Sequence, residues 1–247
     1  MYISDNDKLF YSKLDDAIYL CNVRQKPYFM SFMSERRQAL AAEYLKTVYF
    51  NNYSFFGGYE NSERKVLGLF FDETTEFPVS AIEFKFRSCD KLSHRDFLGA
   101  LMSLGIERET VGDILVEDGR CVVFVKSELK EYIISQLFKI GNVGVKITDA
   151  NLNALPKGRG FDETFYTVSS LRLDNIISAV TGLSREKTKT LILSGDVSYN
   201  FIPNQNVSLT VKESDSFTIR GKGKYILNGI FGETKKGRIR ISVIHFR

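Results

Sequence analysis

Between Ala81 and Ile147 two stretches of helical period separate short runs of alternating apolar and polar residues, an order that few folds accept. Ala81-Ile82-Glu83-Phe84-Lys85-Phe86 alternates, which predicts a strand. Ser93 with Asp96 has the form of a capping box, and Phe97, Leu98, Leu101 and Met102 continue a helix. Two β-branched runs, Asp113 to Val116 and Cys121 to Val125, flank Glu117-Asp118-Gly119-Arg120, a strong hairpin signal. Ser127 opens a second helix with Leu129, Ile133 and Leu137 on one face, and Gly144 to Ile147 closes with a strand. The order βαββαβ predicts a ferredoxin-like sandwich of about 70 residues, with the topology of RRM-like RNA-binding domains. That topology is also a generic scaffold and carries little functional weight alone.

The flanks are less regular. A helix capped by Ser34 carries Leu40, Tyr44, Leu45 and Val48 at helical spacing and ends near Asn51. A glycine turn at Gly57-Gly58 leads to a strand over Val66 to Phe71, and the polar stretch Asp72 to Phe77 reads as a boundary. Asn151 to Asp162, with Pro156, Gly158 and Gly160, reads as a linker. Beyond it, Leu173, Ile176, Ile177 and Val180 form one apolar stripe. Ser184 caps a second short helix that Leu191 and Ile192 bury and Gly195 ends. Alternation then predicts strands at Val197 to Phe201, Val207 to Val211, Phe217 to Ile219, Tyr225 to Ile230 and Arg238 to Ile244. The fold class expected is α+β: an N-terminal helix-and-hairpin domain (1–77), the ferredoxin-like middle (78–150), a linker (151–164) and a C-terminal domain (165–247).

Charge separates these parts. The chain has 34 Lys/Arg and 30 Asp/Glu. From Phe165 to Arg247 there are 13 basic and 6 acidic residues, a net +7, while the rest of the chain is −3. A basic last third beside a near-neutral body predicts an anionic partner for that third. From Thr218 onward eight basic residues face one acid, Glu233. Arg220, Lys222 and Lys224 alternate with turn residues, Lys235 and Lys236 sit in a second turn, and Arg238 and Arg240 are expected on one face of a strand. Like charges so placed repel each other, and a phosphate backbone would relieve the repulsion. Solubility, or an acidic protein surface, is the competing explanation.

On the helices, Arg172 and Asn175 are expected off the apolar stripe. Arg185, Lys187 and Lys189 crowd the start of the next helix, where free backbone N–H groups favour an anion and a cation is locally unfavourable. All these cations are expected to converge on a single surface.

Several chemistries find no support. Cys21, Cys89 and Cys121 are isolated, which argues against a zinc site or a disulfide framework. Two histidines, His94 and His245, suggest no catalytic set, and no phosphate-cradling glycine loop ends in the required Gly-Lys-Ser/Thr. No apolar run is long enough to span a bilayer, and the first fourteen residues are polar and acidic, unlike a signal peptide. The expectation is a cytoplasmic protein with no cofactor, metal, membrane or small-molecule substrate, and no enzymatic activity.

Three motifs carry a resemblance. Arg172-Leu173-Asp174, Leu183-Ser184-Arg185 and Leu191-Ile192-Leu193-Ser194-Gly195-Asp196-Val197 resemble the S4-type RNA-binding domain. The resemblance implies a compact two-helix module that binds structured RNA through Arg172, Ser184, Arg185 and neighbouring lysines, with Asp174 holding Arg172 or a helix start. Phe201 and Ser214 depart from the family by standing where it has glycines.

Further motifs, in family order and over nearly the whole length, resemble the YlmH family of bacterial S4-domain proteins. They are Phe56-Gly57-Gly58-Tyr59 with Glu63-Arg64-Lys65, Gly105-Ile106-Glu107-Arg108 with Gly112-Asp113-Ile114, Ser169 to Asp174, and Gly232 to Arg240. That resemblance implies a non-enzymatic protein acting on rRNA or tRNA at the large ribosomal subunit in rescue of stalled translation; some relatives are connected with cell division. For the Gly57 to Lys65 turn two roles stay open: a tight turn, or RNA or protein contact by Arg64 and Lys65.

Overall fold

The computed structural model describes residues 5–71, 75–157 and 161–246. The linker glycines Gly158 and Gly160, and residues 72–74 of the boundary expected over Asp72 to Phe77, lie outside them. The chain forms two compact units, Met1–Gly158 and Arg159–Arg247.

The first unit opens with α1 (Asp5–Arg24), β1 (Tyr28–Met33), α2 (Glu35–Thr47), β2 (Tyr53–Phe56) and β3 (Lys65–Leu69). The strands form an antiparallel sheet in the order β1-β3-β2. Helix α1 is absent from the sequence reading, although Phe10, Leu14, Ala17 and Cys21 recur at helical spacing and are buried against Leu40, Ala41 and Leu45 of α2. Ser34 occupies the α2 N-cap position but makes no side-chain cap. Instead the Gln38 amide donates to the carbonyls of Met33 (3.0 Å) and Glu63 (2.7 Å) and ties the helix start to the sheet.

The middle follows the expected order: β4 (Val79–Lys85), α3 (His94–Ser103), β5 (Val111–Glu117), β6 (Arg120–Lys126) and α4 (Lys130–Gln136). A small ribbon of β7 (Lys139–Ile140) and β8 (Val143–Gly144) precedes β9 (Lys146–Asp149). The sheet runs β5-β6-β4-β9, antiparallel throughout. The capping box forms: Asp96 accepts from the Ser93 N–H and hydroxyl, both at 2.7 Å. One sheet face buries Ile82, Phe84, Val123 and Val125 against Phe97, Leu101, Ile133 and Leu137. The other buries Leu115, Val122 and Phe124 against Phe32 and Val66, with Tyr59, Phe77 and Leu155 packed around them. The boundary expected at residue 77 is therefore crossed by a shared core.

Two glycines make that junction possible. Gly58 holds φ +103°, and a Cβ there would lie 2.2 Å from the Phe124 ring; one at Gly112 would lie 2.6 Å from the Phe32 ring.

The second unit comprises β10 (Phe161–Val168), α5 (Leu173–Thr181), α6 (Arg185–Leu193), β11 (Val197–Tyr199), β12 (Ile202–Pro203), β13 (Ser216–Ile219), β14 (Gly223–Glu233) and β15 (Ile239–Phe246). Its sheet order is β10-β15-β14-β13-β11-β12. Leu173, Ile176, Ile177 and Ile192 of the helices bury against Phe217, Ile219, Leu227, Ile241 and Val243.

Three expectations change here. Strand β10 takes residues read as linker. Phe201 leaves the strand for a turn. Val207 to Val211 forms no strand, making only an isolated bridge from Thr210 to Arg172 and backbone bonds to Leu171 and Leu173. No helix among the described residues is long and apolar enough to cross a membrane.

Candidate nucleic-acid interface

The expected contact residues fall into three groups on the second unit. The helical group starts at Arg172, which is the N-cap of α5 and not a residue within it: its φ of −70° and ψ of 142° are extended. Its guanidinium makes two bonds to Asp174, at 3.0 and 2.9 Å, while staying partly exposed. Asp174 also accepts from the Asn175 N–H (2.9 Å), so it serves both arginine and helix start. Asn175 is half-buried, and its amide donates to Ser170 Oγ at 2.6 Å. It closes the turn before α5. Ser184 caps α6, accepting from the Lys187 N–H at 3.4 Å. Arg185, Lys187 and Lys189 are exposed along that helix.

The second group is the β13–β14 turn. Arg220 reaches Asp196 at 3.4 Å, and its N–H donates to the Asp196 carbonyl (2.9 Å), which ties the turn to the loop after α6. Lys222 is exposed. Lys224 is half-buried, its ammonium 5.0 Å from the Phe201 ring centre and 5.1 Å from that of Phe246.

The third group is the β14–β15 turn. Lys235 and Lys236 are exposed in it. Arg238 also belongs to this turn, in which Thr234 N–H donates to the Arg238 carbonyl at 2.7 Å. The strand begins one residue later, so Arg238 does not share a strand face with Arg240 as expected. Its guanidinium instead donates to the Thr167 carbonyl at 2.9 Å, and Thr167 is the register partner of Arg240.

The groups do not form one patch. The two basic turns lie at opposite ends of the eleven-residue β14, about 30 Å apart at the usual strand rise. Arg172 belongs with the second turn, because Val168, four residues before it, pairs with Ile239. Among the described residues, no ion pair engages Arg185, Lys187, Lys189, Lys222, Lys235, Lys236 or Arg240.

Both departures from the S4 pattern sit on left-handed backbone. Asn200 (φ +44°) and Phe201 (φ +68°) form the two-residue turn between β11 and β12, and Ser214 holds φ +69°. Asp215 fastens this turn. It accepts from the Tyr199 hydroxyl, from the Asn200 side-chain amide (2.8 Å) and from the Lys212 N–H (2.6 Å), and Ser216 N–H donates to Asn200 Oδ1 (2.9 Å). Burial alone would raise the Asp215 pKa; these bonds hold it below the ordinary carboxylate value. Burial and Asp215 together push the Tyr199 hydroxyl well up.

In the first unit, the turn with two open roles is structural at Arg64. Its side chain donates to the carbonyls of Val111 (3.0 Å), Phe32 (3.1 Å) and Arg108 (3.4 Å). Asp113 accepts from the Tyr59 hydroxyl (2.8 Å) and from the Glu63 and Arg64 N–H groups (2.7 and 3.0 Å). The motifs holding Gly57 to Lys65 and Gly112 to Ile114 thus meet as one clamp between the N-terminal sheet and β5.

This is a mixed α/β chain of two units, and its net positive charge lies in the second. Comparison with known proteins adds a class. A family model described as "Putative RNA-binding domain in YlmH" matches residues 73–154. The ribosome-associated protein quality control protein P2 of Bacillus subtilis (strain 168) is 34% identical over 201 residues, 76% of this chain and 76% of that protein. The solved structure of cell division protein YlmH from Streptococcus pneumoniae matches with a TM-score of 0.56 at 21% identity, over 64% of this chain and 98% of its own, a likeness of fold. The chain belongs to the YlmH family.

The RNA-binding description falls on the middle of the chain, whereas charge reasoning pointed to the last third alone. Charge could not have found it, since residues 73–154 hold 10 Lys/Arg and 13 Asp/Glu.

Proposed function

We propose that this protein binds structured RNA, rRNA or tRNA on the large ribosomal subunit, in quality control of stalled translation. On this reading the second unit is an S4-type domain and the middle of the first unit a ferredoxin-like domain. The protein works in the cytoplasm without catalysis or cofactor. The name of the Bacillus subtilis relative supports the ribosomal setting. The observation that carries the reading is the exposed cations that pair with no carboxylate among the described residues, Arg185, Lys187 and Lys189 on α6 with Lys222, Lys235 and Lys236 on the two turns flanking β14. Within each group neighbouring like charges repel and phosphates relieve that repulsion, and A-form RNA offers phosphates and shape because its deep groove hides the bases.

The middle domain contributes differently from an RRM. RRM domains stack bases on the open face of a four-stranded sheet. Here that face is closed: Phe124 is fully buried, and Tyr59 stacks on it at 4.9 Å. RNA contact by this domain must use its helical side, its edges or its loops.

Affinity for a structured RNA, measured across a salt series, tests the proposal. The log–log plot should be steep, and each cation removed from a phosphate contact should reduce its slope by about 0.7–0.9. A flat plot defeats the reading. So does a protein that stays with the ribosomal fraction of an extract after nuclease treatment, which is the behaviour of an adaptor holding an acidic protein partner.

A further inference from the structure

The geometry points to a stacking platform for an unpaired RNA base on the outer face of the second unit's sheet, an inference that rests on the RNA reading above. Strands β10, β15 and β14 turn Tyr166, Val168, Ile241, Val243 and Leu227 inward toward α5 and α6. By alternation their other face carries Phe165, Ser242 and Phe231. Phe165 is 63% exposed and Phe231 58%, yet the two rings meet, 5.6 Å between centres and tilted by 52°.

The floor beneath them is shaped for this. Phe165 pairs in register with Ser242, and Ser242 with Gly229. A Cβ on Gly229 would lie 3.0 Å from the Phe231 ring and 3.4 Å from Ser242 Oγ, so glycine is what lets the ring settle close to the sheet.

Cations border the pair. Arg240 lies two residues from Ser242 on the same face, Arg238 reaches across to Thr167, and Lys235 and Lys236 sit in the adjoining turn. The acids on these strands are Asp162, Glu163 and Glu233; Glu163 already accepts from the Asn228 amide at 2.8 Å, and Glu213, outside them, accepts from the Ile230 N–H at 2.6 Å. An exposed aromatic pair beside guanidinium groups suits a base with its phosphate: the ring offers a sequence-tolerant stacking face and the arginines hold the backbone. Structured RNA presents such bases in loops and bulges. The basic border disfavours an apolar protein segment as the occupant.

Fluorescence anisotropy of the full chain with two labelled RNAs tests this: a stem–loop with an unpaired loop, and the same stem as a blunt duplex. Phe165→Ala and Phe231→Ala should each weaken stem–loop binding roughly fivefold or more, since stacking contributes about 1–3 kcal/mol per base. Duplex affinity, salt slope and melting temperature should stay near wild type, and Phe231→Tyr should bind like the parent. Unchanged stem–loop affinity in both alanine variants, an equal loss on both RNAs, or Phe231→Leu binding as well as phenylalanine would each overturn the platform. Those results leave the electrostatic reading standing if the wild type keeps its steep salt dependence. A wild type that binds neither RNA overturns both.

Discussion

Arg64 illustrates how a charged side chain can serve cohesion. Burial, aided by the neighbouring Arg108, pushes its guanidinium pKa down to about 10, while Asp113 acts the other way. The cation is held by three backbone carbonyls that accept from it and by the nearby charges of Asp113 and Glu109. Arg64→Met keeps the stem but strips those carbonyls of a donor, with an expected loss of about 2–3 kcal/mol. Urea unfolding measures it; a midpoint equal to wild type would mean the clamp contributes nothing. Ser214 presents the opposite case, a residue working against its own backbone. It is exposed with φ +69°, where a Cβ is unfavourable. Ser214→Gly should stabilise the second unit by about 0.5–1 kcal/mol, read as a higher melting temperature. Phe201→Gly relieves the same kind of strain but removes the ring under Lys224, a contact contributing about 0.5–1 kcal/mol. Its net change should lie near zero.

Elements were legible where a single period ran unbroken. The first middle strand alternates, the turn between β5 and β6 announces itself with Asp118-Gly119 between two apolar runs, and so both element order and capping box follow from local pattern. Helix α1 was hidden because its apolar stripe is narrow: Phe10, Leu14, Ala17 and Cys21 stand among residues such as Asp7, Lys13, Asp15 and Asp16 that mask the period. Strand β10 was hidden because Glu163 and Thr164, both exposed, read as linker, and its pairing to β15 spans more than seventy residues that no local signal bridges. The Asn200-Phe201 turn misled for a third reason: an alternation of Val197, Tyr199 and Phe201 continues through a residue that the Asp215 bonds bend out of the strand. That carboxylate makes the turn sensitive to pH. Its folded pKa is depressed below the unfolded value near 3.8. Its stabilising contribution is therefore present above that value and lost as pH falls through the folded pKa. Asp215→Asn should melt below wild type at pH 7, with the gap closing under about pH 4. A gap that stays constant down to pH 3 would remove Asp215 from the account.

At the scale of the molecule, the cationic residues were readable as a composition bias but their arrangement was not, because strand length and register decide which turns end up together. Arg220 and Arg238 are eighteen residues apart in sequence and at opposite ends of one strand. The architecture of the first unit was obscured for a related reason. Sequence marks the polar stretch before Pro78 as a seam, yet Phe77 and Val79 on either side of it pack into the same cluster as Phe32, Val66 and Phe124. Leu115, Val122 and Phe124 are buried only because the N-terminal sheet covers them, and each such side chain contributes about 1.5–3 kcal/mol when removed from water. A chain of residues 75–157 alone would therefore present that face to solvent, beside an Asp113 carboxylate that has lost Tyr59, Glu63 and Arg64 as donors. The expected outcome is a fragment that associates in size-exclusion chromatography and binds a hydrophobic dye. Residues 5–157 together should be monomeric and unfold in one cooperative step. A monomeric, cooperatively melting 75–157 fragment would show that the middle sheet does not need its cover.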